Sequence, residues 1–288
     1  MHNRPVNLMD NPNADRVKRV AQLAGRSAVR TRRQRFLAEG PQSATEAIRA
    51  HLGLLDLSDE ALTFWPPNRT VAEVYYTARL ASTHPELMEL VAQLDPEVFV
   101  AKVADQVMQT MSDAVVHQNI IAVAKLPSVD EFPSTAADLV AALVRVQDPG
   151  NAGTIIRAAD AAGTDYVLAT PDTVDVFNPK SVRSTAGSLF HIPVYTNVVL
   201  SAFKSVYAGQ ILAADGYGDV TLDRTATARL TRPTAWLFGN EARGLSTAEL
   251  DLADARVAVP LYGLAESLNV ATAATICLYS SAMAQSDP

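Results

Sequence analysis

The chain has a single cysteine, Cys277, in 288 residues, so it can form no internal disulfide, and a cytoplasmic, reducing home is expected. That thiol falls in an apolar final helix, where filling the core is its simplest role. No apolar run is long enough to cross a bilayer, and Met1–Asp10 lacks the hydrophobic centre of a signal peptide, so no membrane partner is expected. Neither G-x-G-x-x-G nor G-x-x-x-x-G-K-[ST] occurs, which removes the phosphate cradles of dinucleotide and P-loop proteins. The G-x-S-x-G elbow is missing too. Five histidines, His2, His51, His84, His117 and His191, are scattered without ligand spacing, so no metal is expected. No internal repeat or low-complexity region interrupts the chain. With no evident covalent nucleophile, positioning and electrostatics are left to carry any catalysis.

The composition is 48% hydrophobic, ample for buried cores, and the length allows one large domain or two ordinary ones. The net charge of −7 argues against a nucleic-acid partner, but its distribution argues for one. Residues 1–40 hold nine Lys/Arg against three Asp/Glu, a balance of +6 that leaves −13 for the remainder. The positive charge concentrates in Arg16, Lys18, Arg19, Arg26, Arg30, Arg32, Arg33 and Arg35. Such a run is often only a solvated helix face. Its preference for arginine over lysine favours phosphate contacts, because the guanidinium fork matches phosphate oxygens.

Periodicity predicts a basic helix from Val17 to Arg35, then a short strand and turn at Phe36-Leu-Ala-Glu39-Gly40. A helix from Ser43 to His51 follows, with Ser43 and Glu46 as a capping box. A β-rich run at Glu73–Thr77, helical Pro85–Leu94 and a strand near Gln118–Ala124 complete a small α/β unit. The Pro/Ser/Asp-containing stretch after it reads as a linker. The expected division is 1–125, linker 126–137, and 138–288. In the last part strands are expected at Leu139–Val146, Asp165–Ala169, Gln210–Ala214, Thr234–Phe238 and Arg256–Val259. Helices are expected between them, near Thr154–Ala162, Pro179–Ala186, Leu200–Ala208, Thr247–Leu252 and Leu268–Met283. This alternation implies an α/β fold with a mostly parallel sheet covered on both faces.

Three polar turns in that part share one look, each following a β-like run and leading into a helix. In Gln147-Asp-Pro-Gly-Asn151-Ala-Gly153, Asn151 is placed to cap a helix, and Arg157 lies farther along among apolar neighbours. An arginine so placed is either snorkelling or aimed at an anion. In Phe238-Gly239-Asn240-Glu241-Ala-Arg243-Gly244-Leu-Ser246, the glycines bracket a polar loop and Ser246 with Glu249 forms a capping box. Glu241 has no structural duty of that kind; it can accept bonds from backbone N–H groups or orient an arginine. In the third turn Pro260 ends a strand, Gly263 permits a bend, Ser267 can cap the next helix and Asn269 falls in its first turn. Ala271, Ala273 and Ala274 behind them permit close backbone approach. Three such turns suggest one site at the strand ends of the sheet.

Together the motifs N-x-G-x-x-x-R, F-G-N-E-x-x-G-L-S and V-P-L-x-x-x-x-E-S-L-N-V-A resemble the three signatures of the SpoU (TrmH-type) RNA 2′-O-ribose methyltransferases, in order and near their spacing. The resemblance covers about residues 139–285. Phe36-Leu-Ala-Glu39-Gly40 is similar to the hallmark of a substrate-binding domain often fused to that family and like a large-subunit ribosomal protein. The resemblance implies a SPOUT domain with a deep trefoil knot, S-adenosylmethionine as cofactor, and a homodimer through the knotted domain. It implies catalytic roles for Arg157, Asn151, Glu241, Ser267 and Asn269. Cofactor contacts are implied at Phe238, Gly239, Asn240, Val259, Pro260, Leu261, Ser267 and Leu268. Where the family often has Ile-Pro-Met, this chain has Val259-Pro260-Leu261, a change of little weight if the contact is main-chain. RNA contacts are expected from Arg26, Arg30, Arg32, Arg33, Arg35 and Arg183. The implied reaction is methyl transfer to a ribose 2′-hydroxyl of RNA, with 23S ribosomal RNA as the expected substrate, since DNA lacks that hydroxyl. Transfer RNA as substrate and a non-catalytic RNA-binding or ribosome-assembly protein of the same fold are the alternatives. A nucleotide-dependent oxidoreductase explains the alternation but not the missing glycine fingerprint.

Overall fold

The computed structural model describes residues 8–128, 137–223 and 227–286, with the side chain of Thr227 excepted. Most of the expected linker lies outside the described residues. The chain packs as two units, one formed by residues 1–128 and 177–191, the other by 129–176 and 192–288. This differs from the contiguous division read from the sequence in one place, because the segment Phe177–His191 packs with the first unit.

The first unit is built on a four-stranded sheet of β1 (Arg35–Glu39), β2 (Val71–Tyr76), β3 (Phe99–Lys102) and β4 (Ile120–Lys125), in the order β1-β4-β2-β3. β4 runs antiparallel to both neighbours, and β2 pairs with β3 in parallel. The single basic helix expected from Val17 to Arg35 is instead two, Asp15–Gly25 and Ser27–Arg33, separated by Arg26 in extended conformation. Gly25 sits at that break, consistent with its poor helix propensity. Val17, Val20 and Leu23, three residues apart, bury one face of the first helix against Val107, Met108 and Met111. The capping box expected at Ser43 and Glu46 does not form. That helix starts earlier, at Pro41 with Gly40 as N-cap, so Ser43 is buried inside it and Glu46 instead binds Arg49 and His191. Phe177 and Phe190 of the later segment pack on Phe36, with ring centroids 5.0 and 6.0 Å away.

The second unit carries seven strands: β5 (Leu139–Leu143), β6 (Tyr166–Ala169), β7 (Val194–Thr196), β8 (Gln210–Ala214), β9 (Val220–Thr221), β10 (Thr234–Phe238) and β11 (Ala255–Ala258). They lie in the order β7-β6-β5-β10-β8-β11-β9, and every pairing is parallel. All residues of β5, β6 and β10 are buried, so both sheet faces are covered, as continuous apolar runs require. The helix after β5 spans Pro149–Ala161, starting five residues earlier than expected because Asp148 caps it and Pro149 occupies its first turn. The last helix spans Val270–Ser286 and buries Ala271, Ala274, Cys277, Leu278, Ser281 and Ala284. Its small residues admit close packing on β10, where the Trp236 indole donates to Ser281 Oγ at 2.9 Å. Burial pushes the Cys277 thiol far above its ordinary range, which keeps it protonated and inert.

Candidate active site

The three polar turns meet at the C-terminal ends of the parallel strands, joined by one chain of hydrogen bonds. Asp148 caps the helix after β5 by accepting from the Asn151 N–H at 2.9 Å, which places Asn151 inside the first turn and frees its side chain. Asn151 therefore does not cap. Its amide donates to Glu241 Oε1 at 3.0 Å, and its carbonyl oxygen accepts from the Asn269 amide at 3.0 Å. The backbone N–H groups of Gln147 and Asp148 also donate to the Glu241 carboxylate, each at 3.0 Å. Burial works against the Glu241 charge, but these three N–H donors outweigh it and hold the carboxyl below its ordinary range. Asn269, with Oδ1 2.9 Å from the Ala271 N–H and 3.3 Å from that of Thr272, is the N-cap of the last helix. The cap expected from Ser267 is thus supplied two residues later.

Arg145, a residue the sequence reading passed over, holds the second turn. Its guanidinium reaches both oxygens of Glu249, at 2.8 and 2.6 Å, and its carbonyl accepts from the Asn240 amide at 3.0 Å. Glu249 is in turn the partner of Ser246 in the expected capping box, which does form. Hydrogen bonding from Arg145 keeps the Glu249 carboxyl below its usual range despite partial burial. Asn240 and Gly244 pair across the loop, with Gly244 at φ 61°. A Cβ on Gly239 would lie 2.6 Å from the Gly244 backbone, so only glycine fits that approach.

A cavity of about 660 Å³ opens beside this network, at the ends of β8, β10 and β11. Its size suits a small molecule of cofactor dimensions. Phe238, Gly239, Asn240, Val259, Pro260, Leu261, Ser267 and Leu268 all line it, as do Glu241 and Asn269. The structure thus brings together every residue expected to contact a cofactor. From Pro260 to Leu268 the backbone makes no hydrogen bond to another described residue, so its polar groups remain available to a ligand. Three carboxylates, Asp215, Glu241 and Glu266, line the cavity, and no Lys, Arg or His does. Arg256 balances Asp215 at 2.7 Å, leaving Glu241 and Glu266 without a cation among the described residues. Such a wall suits a positively charged ligand and opposes a phosphorylated one. Asp215 and Gly216 were not singled out from the sequence, although Ala214-Asp215-Gly216 repeats the strand-then-polar-turn look of the other three segments.

Arg157 stands apart. It is exposed on the helix after β5, does not line the cavity, and has no hydrogen bond or ion pair to another described residue. Asn151, expected to help place it, is occupied by Glu241 and Asn269 instead. Among the expected RNA contacts, Arg26 and Arg32 are exposed, and Arg33 and Arg35 are half-buried. Two are spent inside the fold. Arg30 is 2% exposed and donates to the Leu23 carbonyl at 2.8 Å. Arg183 binds the buried Glu39 at 2.8 Å and Asp113 at 3.0 Å. Both are thus engaged by internal partners, which local sequence does not reveal.

Comparison with known proteins agrees with this geometry. The profile of the SpoU rRNA Methylase family matches residues 138–279. The 23S rRNA (guanosine(2553)-2′-O)-methyltransferase of Bacillus subtilis is 40% identical over 169 residues, covering 56% of this chain and 64% of that protein. The chain thus spans slightly less than two thirds of that relative's length. An uncharacterized tRNA/rRNA methyltransferase of Synechocystis is 33% identical over 205 residues, covering 71% of this chain and 74% of its own. Among solved structures, the AdoMet-bound rRNA methyltransferase of Sinorhizobium meliloti superposes with a TM-score of 0.75 at 25% identity, covering 96% of this chain and 97% of that one. No helix of the described residues is long and apolar enough to cross a membrane, and no group of three or more His, Cys, Asp or Glu among them could hold a metal ion. With three signature turns in one hydrogen-bonded network and relatives matched over most of their length, the chain belongs to the SpoU rRNA Methylase family.

Proposed function

We propose that this protein transfers a methyl group from S-adenosylmethionine to a ribose 2′-hydroxyl of 23S ribosomal RNA. The observation that carries this reading is the cation-free cavity bordered by Glu241 and Glu266 and tied through Asn269 to the Asn151–Glu241 network. S-adenosylmethionine bears a sulfonium and an ammonium against one carboxylate, so its net positive charge matches that wall. Dinucleotides would bring phosphates against it, which counts against the oxidoreductase reading. When bound, the cofactor supplies a methyl group already activated for displacement. The backbone of Phe238–Asn240, Val259–Leu261 and Leu268 is assigned to its adenosine and methionine parts.

The remaining work belongs to the chain's own residues. Glu241 is a poor general base, since three N–H donors stabilise its charged form and so lower its affinity for a proton. Its role is to lock the first turn to the second. Asn269 extends that lock to the third, and Ser267, exposed at the rim, is free to bond the cofactor or the ribose. A guanidinium such as that of Arg157 suits stabilisation of developing alkoxide charge. Because it does not line its own chain's cavity, we assign it to the partner's cavity in a homodimer. An exposed apolar stripe of Ile276, Tyr279 and Met283 along the last helix supports a dimer through this unit. The Tyr279 hydroxyl touches the Ala161 carbonyl at 3.3 Å, so the stripe adjoins the helix that carries Arg157.

The deep knot, a likeness of the first unit to a large-subunit ribosomal protein, and a cytoplasmic location belong to the same proposal. The tight approach of Gly239 to Gly244 and of Gly218 to the Arg256 backbone supports closely threaded loops around the cavity. Residues 1–125 and 138–288 are assigned to RNA binding and catalysis respectively, with 177–191 lending its packing to the former. The direct test is incubation with labelled S-adenosylmethionine and 23S ribosomal RNA from a strain lacking this gene, followed by mapping of the modified ribose. Label on one 23S ribose is the expected result. Label on transfer RNA alone would correct the substrate, and none on any RNA would refute the reaction.

A further inference from the structure

Arginines in the first unit fall into two groups. Arg16, Arg49 and Arg183 are paired with carboxylates: Glu73 at 2.9 Å, Glu46 at 3.3 Å and Glu39 at 2.8 Å. Arg19, Arg33 and Arg35 have no carboxylate partner among the described residues. Arg33 bonds the neutral Gln22 amide at 3.0 Å and Arg35 the Gln34 carbonyl at 3.2 Å, while Arg19 has no partner among the described residues. These three line one cavity of about 230 Å³ between the two N-terminal helices and the sheet. Its fourth polar group, Glu73, is already neutralised by Arg16, which also lies 3.7 Å over the Phe99 ring. The cavity therefore presents an uncompensated charge close to three units. Arg33 and Arg35 are half-buried as residues, the bonds made by their guanidinium groups lie at the surface, and Arg19 is exposed.

The rest of the lining distinguishes a nucleotide from a bare anion. Val20, Leu23 and Val123 close the bottom of the cavity but are at most 3% exposed, so a ligand meets chiefly the guanidinium groups and Glu73. The volume is about that of eight waters at ~30 Å³ each, room for a phosphate with a ribose or a base but not for a duplex. Only one oxygen of Glu73 is consumed: Arg16 and the Tyr75 hydroxyl both use Oε2, leaving Oε1 to accept from a base N–H. Unstacked bases seated on apolar or guanidinium surfaces, with the backbone held by arginines, are the usual way single-stranded RNA is read.

We infer that this cavity takes one unstacked nucleotide of the RNA substrate, with its phosphate among Arg19, Arg33 and Arg35 and a base N–H donating to Glu73 Oε1. The inference rests on the proposed RNA substrate, but its test does not depend on turnover. Binding of the full-length protein to a single-stranded ribooligonucleotide of ~10 nucleotides is followed by fluorescence anisotropy across a salt series. The triple variant Arg19→Gln/Arg33→Gln/Arg35→Gln is compared with Arg69→Gln/Arg79→Gln, which removes exposed charge outside the cavity. The triple variant should bind about tenfold more weakly and flatten the salt slope by about 2, for three lost contacts at ~0.7 each. The control pair should weaken binding less than about threefold. Unchanged unfolding temperature and S-adenosylmethionine binding in both variants guard against misfolding. Equal losses in the two variants, or none in the triple, overturn the cavity. If the wild type methylates RNA and the triple variant binds like it, only this inference falls. If the triple variant loses binding but the wild type methylates no RNA, the cavity stands and the proposed reaction falls.

Discussion

The cavity at the strand ends of the seven-stranded sheet is walled by three carboxylates and no cation, whereas the smaller cavity of the four-stranded unit is walled by three guanidinium groups and one neutralised carboxylate. Averaged over the chain, these opposites merge into a net charge of −7 that describes neither. The difference teaches that recognition is set by which charges are left unpaired after folding. Asp215, Arg30 and Arg183 sit in or beside polar regions, yet each is spent on an internal partner, and the charge of Glu73 is neutralised by Arg16. What remains without an ion partner among the described residues is Glu241 and Glu266 in one cavity, and Arg19, Arg33 and Arg35 in the other.

The largest expected effect breaks the acidic side of this contrast at its centre. Glu241→Ala strands the Gln147 and Asp148 N–H groups and the Asn151 amide, and kcat/KM should fall about 100-fold or more, the scale for loss of a preorganising polar group. A fall below about threefold in steady-state assays would show that the network only decorates the cavity. Arg145→Ala, which cuts the bidentate tie to Glu249, should raise the S-adenosylmethionine Kd about tenfold by calorimetry while leaving RNA affinity unchanged. A change confined to RNA affinity would assign Arg145 to the wrong partner. On the basic side, Arg30→Ala should cost about 1–3 kcal/mol by removing a buried charge-assisted bond, lowering the unfolding temperature by several degrees. Arg32→Ala should leave it unmoved, and equal shifts in the two would erase the distinction between spent and free arginines.

The smallest effects concern charge at the cavity rim. Glu266→Gln should weaken S-adenosylmethionine binding about threefold, more at low salt, because the carboxylate is exposed and screened. The pH dependence has a definite sign. Glu241 and Glu249 are both held below the ordinary carboxylate range, so the order they give their loops is fully present above that range and is lost as pH falls through their folded values. Cofactor affinity should therefore stay flat from about pH 8 to 5 and decline only below the ordinary carboxylate pKa of ~4.3. A decline centred near neutrality would place another titrating group in control.

Continuous apolar runs made the interior strands readable: β8 and β10 begin and end where Gln210–Ala214 and Thr234–Phe238 were expected. The short outer strands β3, β7 and β9 were missed, since two to four residues carry too little pattern. Helix starts were misjudged wherever the true cap lay upstream, as Asp148 and Gly40 do. At the site, the three turns were legible because glycines and lone polar residues break strongly apolar surroundings. Arg145 was not, because its partner Glu249 is 104 residues away.

The sequence by itself determined the alternating α/β pattern, the parallel sheet and the three turns that meet at its strand ends, though not that Arg157 lies apart from them, because period and turn chemistry are local properties. Only the tertiary structure decided that Asn151 bonds Glu241 rather than caps, that Asn269 rather than Ser267 starts the last helix, and that Arg30 and Arg183 are spent within the fold. It also decided that Phe177–His191 packs with the first unit. Each of these depends on a partner brought close by folding, and whether a polar group is free or satisfied cannot be known until that partner is in place.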